Sequence, residues 1–161
     1  MSIFSSDRCL MWLRKTPVLL NALLKDVTDA QAHQLTDGPN GWTVTEAMCH
    51  MRDLEVLTLK RVEAILTLDH PMLPSIDLVE LPKQRDYPHQ DFRAEFSAYV
   101  TMRKELVQRL SSVDEALWTR SGTHATYGEM TLYDLAAHVT LHDVNHIEQI
   151  TRTLKLSDAI V

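Results

Sequence analysis

The amino-acid sequence predicts an all-α four-helix bundle with a long crossover connection. Three observations carry that expectation. The four glycines, Gly38, Gly41, Gly122 and Gly128, fall in two clusters that punctuate the chain. Elsewhere apolar residues recur with the period of helices, and strand-like alternation is nearly absent. The stretch DHPMLPSIDLVELPKQRDYPH holds four prolines and is long enough to carry the chain across a bundle instead of straight back.

Each element has its own signal. A first helix is expected from Ser6 to Val27, with Leu10, Leu13, Val18, Leu20, Leu23 and Leu24 as apolar contacts. Pro17 lacks an amide proton and should kink that helix or mark a late start. The segment TDGPNG breaks the chain. Thr43 and Glu46 then form a Thr-x-x-Glu capping box, opening a second helix that runs through Leu54, Val62 and Ile65 to about Leu68. A third helix covers Asp91 to Ser111, carrying Phe92, Phe96, Val100, Leu106 and Leu110. The segment SGTHATYGEM reads as a polar loop with a hairpin turn at Tyr127 and Gly128, and Thr131 caps the last helix with Asp134 three residues on. All of this fits one domain over residues 1–161.

Composition excludes several classes of function. The formal charge is −6 and the 16 basic residues are scattered, which argues against neutralising nucleic-acid phosphates. No apolar run approaches the roughly 20 residues that span a bilayer, and the first residues lack the layout of a secretory signal. A cytoplasmic protein that binds neither nucleic acid nor membrane is expected. Cys9 and Cys49 make no disulfide framework and no zinc-type pair, so each reads as a buried thiol.

The informative stretch is TLYDLAAHVTLHDVNHIEQI, with His138, His142 and His146 at intervals of four. With Leu135 set at zero on a helical wheel, His142 falls near roughly −20° and His146 near roughly +20°, beside the apolar stripe; His138 lies near roughly −60°. His138 and His146 stand about 12 Å apart along the axis, too far to share an ion with ligand bonds of about 2 Å. The inward pair is therefore His142 and His146. On the second helix His50 follows Ala47 by three and precedes Leu54 by four, so it faces the core too. Three inward imidazoles from two helices are costly unless they satisfy one another or hold an ion. Together they suit one divalent ion, zinc or nickel by ligand type. His138 should point away.

At these residues the chain resembles the DinB-like (damage-inducible) family of metal-binding four-helix proteins. The resemblance rests on WTVTEAMCHMRDLE and GEMTLYDLAAHVTLHDVNHIEQI, in order and spacing over roughly residues 5–155. It implies an up-down-down-up bundle, metal ligands at His50, His142 and His146, and a homodimer. Some members use low-molecular-weight thiols as transferases or isomerases.

Two functional readings follow. A three-histidine ion keeps an open coordination position, which suits a thiol S-transferase or a hydrolase. Trp42, Asp53, His124 and Tyr127 are candidates to line its mouth, each with a plainer reading: packing for Trp42, a solvated or ligand-supporting carboxylate for Asp53, a surface loop for His124. Alternatively the ion only ties two helices together in a non-catalytic, structural or stress-related protein. Gln149, three residues after His146, and Asp143, beside His142, are candidates to accept the second ring proton of a ligand imidazole.

Overall fold

A computed structural model describes residues 5–155; the ends of the expected 1–161 domain lie outside them. Six α-helices are present, α1 (Ser6–Leu24), α2 (Asp29–Gln34), α3 (Val44–Thr67), α4 (Glu80–Gln84), α5 (Phe92–Ser111) and α6 (Leu132–Thr153), with an antiparallel hairpin of β1 (Ser121–His124) and β2 (Gly128–Thr131). The long helices α1, α3, α5 and α6 form the bundle.

The local start signals work as written. Thr43 accepts from the Glu46 amide while Glu46 reaches back to the Thr43 amide, and Thr131 and Asp134 make the same reciprocal box. Such boxes satisfy amides that the first helical turn leaves without partners. Pro17 lies inside α1, which begins at Ser6 with Ser5 as its cap. The first helix stops earlier than its apolar pattern suggests, at Leu24, and a short capped helix α2 takes up the following turn. Val18 does not join the core: it is 66% exposed, while Leu13, Leu20 and Leu24 on the opposite face are fully buried.

Side-chain pairs fix the helix directions. Arg52–Glu95, Glu55–Arg103 and Glu63–Arg109 ascend together, so α3 and α5 run parallel. Arg14 meets Ser111 and Arg93 meets the Leu24 carbonyl, so α1 and α5 run antiparallel. Cys9, Leu10 and Leu13 pack in one core cluster with Leu132 and Leu135, and Leu20 and Leu24 in the other with Ile150 and Leu154, so α1 and α6 run parallel. The order is up-down-down-up. Parallel neighbours α3 and α5 require the chain to return the length of α3, about 36 Å for 24 residues. The crossover over residues 68–91 does that.

Bonds along its path hold the crossover down. Leu73 N–H donates to the Thr123 carbonyl at 2.9 Å and Thr123 N–H to Pro71 at 2.8 Å, laying the crossover beside β1. Arg120 donates to the Ile65 and Leu68 carbonyls at 2.9 and 2.6 Å, placing a cation on the C-terminus of α3. Asp53 is buried and not solvated. It binds Arg85 at 2.6 Å and the Tyr87 hydroxyl at 2.6 Å, pinning the far end of the crossover to α3. Cys9 and Cys49 are free, buried thiols. No described helix is long and apolar enough to cross a membrane.

Candidate metal centre

The antiparallel packing of α3 on α6 sets His50 opposite His142 and His146. The Nε2 atoms converge: His50 to His142 is 2.8 Å, His142 to His146 is 3.1 Å, and all three ligand atoms lie within 4.8 Å of one another. Among the described residues this is the group of histidine, cysteine and carboxylate side chains with that geometry. His50 is buried and the other two are half-buried. Trp42 packs edge-on against His50 with ring centroids 5.0 Å apart, so it forms a wall of the cluster.

Hydrogen bonding fixes the tautomer at one ring. Gln149 Nε2 donates to Asp37 Oδ2 at 3.2 Å, so its Oε1 is turned to His146 Nδ1, 2.7 Å away. An amide oxygen only accepts, so Nδ1 carries the proton and Nε2 presents a lone pair to the cluster. Arg152 holds Asp37 from the other side. Asp37, from the TDGPNG break, is the one member of this His146–Gln149–Asp37 chain that the sequence reading missed. Nothing in the sequence says that the loop folds back onto α6.

At His142 the buried Nδ1 atom has no hydrogen-bond partner. A proton on Nε2 could serve only one of its two imidazole neighbours, and a proton on Nδ1 would have nothing to bind. Burial pushes His50 down to about 4, and the charge of His146 would push the same way. Burial and the neighbouring rings drive His142 lower still, and burial also lowers His146. All three are therefore neutral at pH 7, with their Nε2 atoms gathered at one place. Tetrahedral coordination with metal–nitrogen bonds of about 2.0–2.1 Å separates ligand nitrogens by about 3.3 Å, close to the two spacings that His142 makes with its neighbours, 2.8 and 3.1 Å. The donor set fits a divalent ion.

Asp143 serves a different purpose from the one expected. Its carboxylate accepts from Arg103 Nη1 at 2.7 Å, the Tyr99 hydroxyl at 3.1 Å and the Thr16 hydroxyl, and it makes no bond to a ligand ring. Arg103 also makes a two-pronged contact with Glu55, at 2.8 and 2.5 Å, and donates to the Leu13 carbonyl at 3.1 Å. Residues of α1, α3, α5 and α6 thus meet in one buried polar knot beside the histidines.

The cluster opens on a cavity of about 240 Å³ lined by His50 and His142. His138 lines it too, its ring centroid 6.4 Å from that of His142, instead of pointing away. His124 and Tyr127, from the turn of the hairpin, close another side with rings stacked 4.8 Å apart. Arg61, absent from the sequence reading, completes the wall from α3 and is buried.

Known proteins share this fold. YfiT from Bacillus subtilis, described as a probable metal-dependent hydrolase with an unusual four-helix bundle topology, superposes with a TM-score of 0.87 at 20% identity, covering 97% of this chain and 89% of that one. The mycothiol-dependent maleylpyruvate isomerase superposes at 0.75 with 13% identity over 95% of this chain and 70% of its own. The colibactin self-resistance protein ClbS, solved in complex with double-stranded DNA, gives 0.72 with 14% identity over 98% and 100%. At these identities the likeness is one of fold. No curated protein sequence matches the chain significantly. The sequence profile of the DinB superfamily matches residues 13–150, most of the bundle and all three converging histidines, and the chain belongs to that superfamily.

Proposed function

We propose that His50, His142 and His146 hold one divalent ion, zinc or nickel, and that the protein is a metal-dependent enzyme of the thiol S-transferase or hydrolase type. The observation that carries this reading is the convergence of three neutral imidazole Nε2 atoms beside an open cavity. A bound divalent ion supplies a Lewis acid, polarising a carbonyl or lowering the pKa of a bound water or thiol. The protein's own groups do the rest. Gln149 holds the His146 ring in one tautomer, Trp42 restricts the position of His50, and the cavity admits a small molecule to the cluster. That cavity favours chemistry over a purely structural ion, which would be sealed by a fourth ligand.

The relatives support the choice of reaction classes, one being described as a probable metal-dependent hydrolase and another as thiol-dependent. The reading includes a cytoplasmic homodimer of one domain that acts on small molecules and not on nucleic acid. The test is metal analysis of the wild type and of the His50→Ala, His142→Ala and His146→Ala variants, followed by ester-hydrolysis and thiol-conjugation screens on metal-loaded protein. Loss of metal in each variant is expected. Full retention in any two of them refutes the site.

A further inference from the structure

His33, in the last turn of α2, meets at each ring nitrogen a group that can only accept. Its Nδ1 lies 2.8 Å from the Asp29 carbonyl oxygen, one turn back in the same helix. Its Nε2 lies 3.0 Å from the Gln90 carbonyl oxygen, at the end of the crossover. A neutral imidazole has one N–H, so it satisfies one of these carbonyls and turns a lone pair on the other. The imidazolium has two, and only it makes both bonds together. The bonds to Asp29 and Gln90 accordingly raise the ring above its ordinary value of 6.5.

The charges that face the ring act in the same sense. Asp29 on α2 and Asp91, the N-cap of α5, favour the cation, while partial burial opposes it. Arg93, in the first turn of α5, is engaged by the carbonyls of Leu24, Lys25 and Val27. From α3 the Thr45 hydroxyl donates to the Ala32 carbonyl, and Glu46 is held in its own capping box with Thr43.

The Gln90 bond joins parts of the chain that matter to the metal centre. Helix α2 leads into the turn closed by the pairing of Thr36 with Thr43, where Asp37 N–H donates to the Trp42 carbonyl at 3.1 Å. From this turn Asp37 binds Gln149 and Arg152 on α6, and Trp42 packs against His50. The root of the turn is therefore fastened to the start of α5 at His33.

We propose that His33 is a proton-operated clasp: with both ring protons in place it ties α2, and the turn that follows, to the start of α5, and loss of the Nε2 proton to solvent opens that tie. The Nδ1–H bond stays, because it closes within one helical turn. The clasp does not depend on a bound metal, since neither bond involves the three converging histidines. Its pH sense also sets it apart from them. A ring raised by folding stabilises fully below about 6.5, and that contribution is lost as pH rises through the folded value. His50, His142 and His146 are lowered instead, so their contribution is lost toward acid.

The experiment is nitrogen–proton NMR of the full chain from about pH 5.5 to 9, across the range in which a histidine titrates, with His33→Gln to identify the His33 signals. At the acid end both His33 nitrogens should carry protons, and the ring should titrate with a midpoint above 6.5. The Asp91 amide, which shares a peptide group with the Gln90 carbonyl, and the Leu35 to Asp37 amides should shift with that midpoint, and should stop doing so in His33→Gln. Urea unfolding of both proteins gives the second measurement. Below the midpoint the folding equilibrium constant of the wild type should exceed that of His33→Gln by about three- to tenfold, the contribution of one hydrogen bond. Above the midpoint the ratio should approach one. A ring with a single proton at the acid end, a midpoint at or below 6.5, amides that ignore the midpoint, or a stability ratio that does not change with pH overturns the clasp.

Discussion

Arg103 donates to Asp143 at 2.7 Å in a fully buried setting, one residue along α6 from His142. The same guanidinium pairs with Glu55, so one cation is shared by two carboxylates from different helices. A buried pair of this kind is weak evidence of net stabilisation, because desolvation offsets much of the attraction. It is strong evidence of what happens when one member is lost. Arg103→Leu would leave two carboxylates buried without a cation, and a cost of about 3–5 kcal/mol is expected from chemical denaturation. A loss below about 1 kcal/mol would show that the knot relaxes into solvent when opened.

Gln149 should govern metal affinity without being a ligand. Its Oε1 accepts the His146 Nδ1 proton at 2.7 Å, and outer partners of this kind typically contribute about 10–100-fold in affinity. Gln149→Leu should therefore weaken metal binding by that factor in a competitive chelator titration, while Gln149→Glu restores an acceptor and recovers binding. His138→Ala should keep the metal, since its ring stands 6.4 Å from His142 and is not in the converging group. Equal metal affinity in the wild type and the leucine variant would remove Gln149 from the account.

The sequence made the helices and the histidine trio legible because both depend on local spacing. Capping boxes at Thr43 and Thr131 lie within four residues, and the i, i+4 repeat of His142 and His146 settles their common face. Asp143 was misread for the same reason. It neighbours His142 in sequence but lies about 100° around the helix, where it meets Arg103 of α5. His124 and Tyr127 stood out as candidates for the mouth, but the places of Arg61 and His138 in the same wall were not legible. The wall exists only because the crossover and hairpin fold onto α3 and α6, and no local pattern encodes that packing. Val18 went wrong because its apolar character says nothing about which side of α1 meets solvent.

Gly122 is required by the crossover that runs beside β1. A Cβ at this position would lie 2.6 Å from Leu73 Cδ2 and 2.8 Å from the Pro71 carbonyl oxygen. Leucine can shift, but the backbone oxygen is held by its bond to Thr123 N–H. Gly122→Ala should therefore destabilise the protein by about 1–3 kcal/mol, the usual range for overpacking. Gly128→Ala meets no such obstacle and is strained instead by its positive φ of 74°. Unfolding midpoints of the two variants would separate the effects, and a neutral Gly122→Ala would mean that the crossover is not seated as described.

Acid should destabilise the metal-free protein through its buried histidines. Folding lowers His50 from 6.5 to about 4, with burial as the main cause. Between those values the unfolded chain takes up a proton that the folded chain refuses, so stability rises with pH. The contribution is complete above about 6.5 and is lost as pH falls toward 4, by about 3 kcal/mol for His50 alone. His142 and His146 are lowered as well and act in the same sense. Urea midpoints of chelator-treated protein should thus fall between pH 7 and 4, less steeply in His50→Ala. A flat profile would show that the three rings are hydrated in solution.

Removal of metal should lower the melting temperature without unfolding the bundle. An ion bound only by the native state stabilises it by an amount that grows with the logarithm of one plus the ratio of free ion to Kd, so chelation at pH 7 should shift the transition by several degrees. The apo chain has other supports. One apolar cluster joins α1, α3, α5 and α6 at the end near Trp118, and a second joins them at the end near Phe92. The Arg103 knot lies among the same helices, and none of these groups depends on the histidines. Because protons compete for the same imidazoles, the metal-dependent shift should shrink as pH drops from about 7 to 5. Thermal unfolding with and without chelator, at several pH values and with metal content measured in parallel, checks each part. Identical melting temperatures with confirmed occupancy would refute an ion that links α3 to α6. Complete unfolding on chelation would refute the self-sufficient bundle and make the ion a structural member of the core.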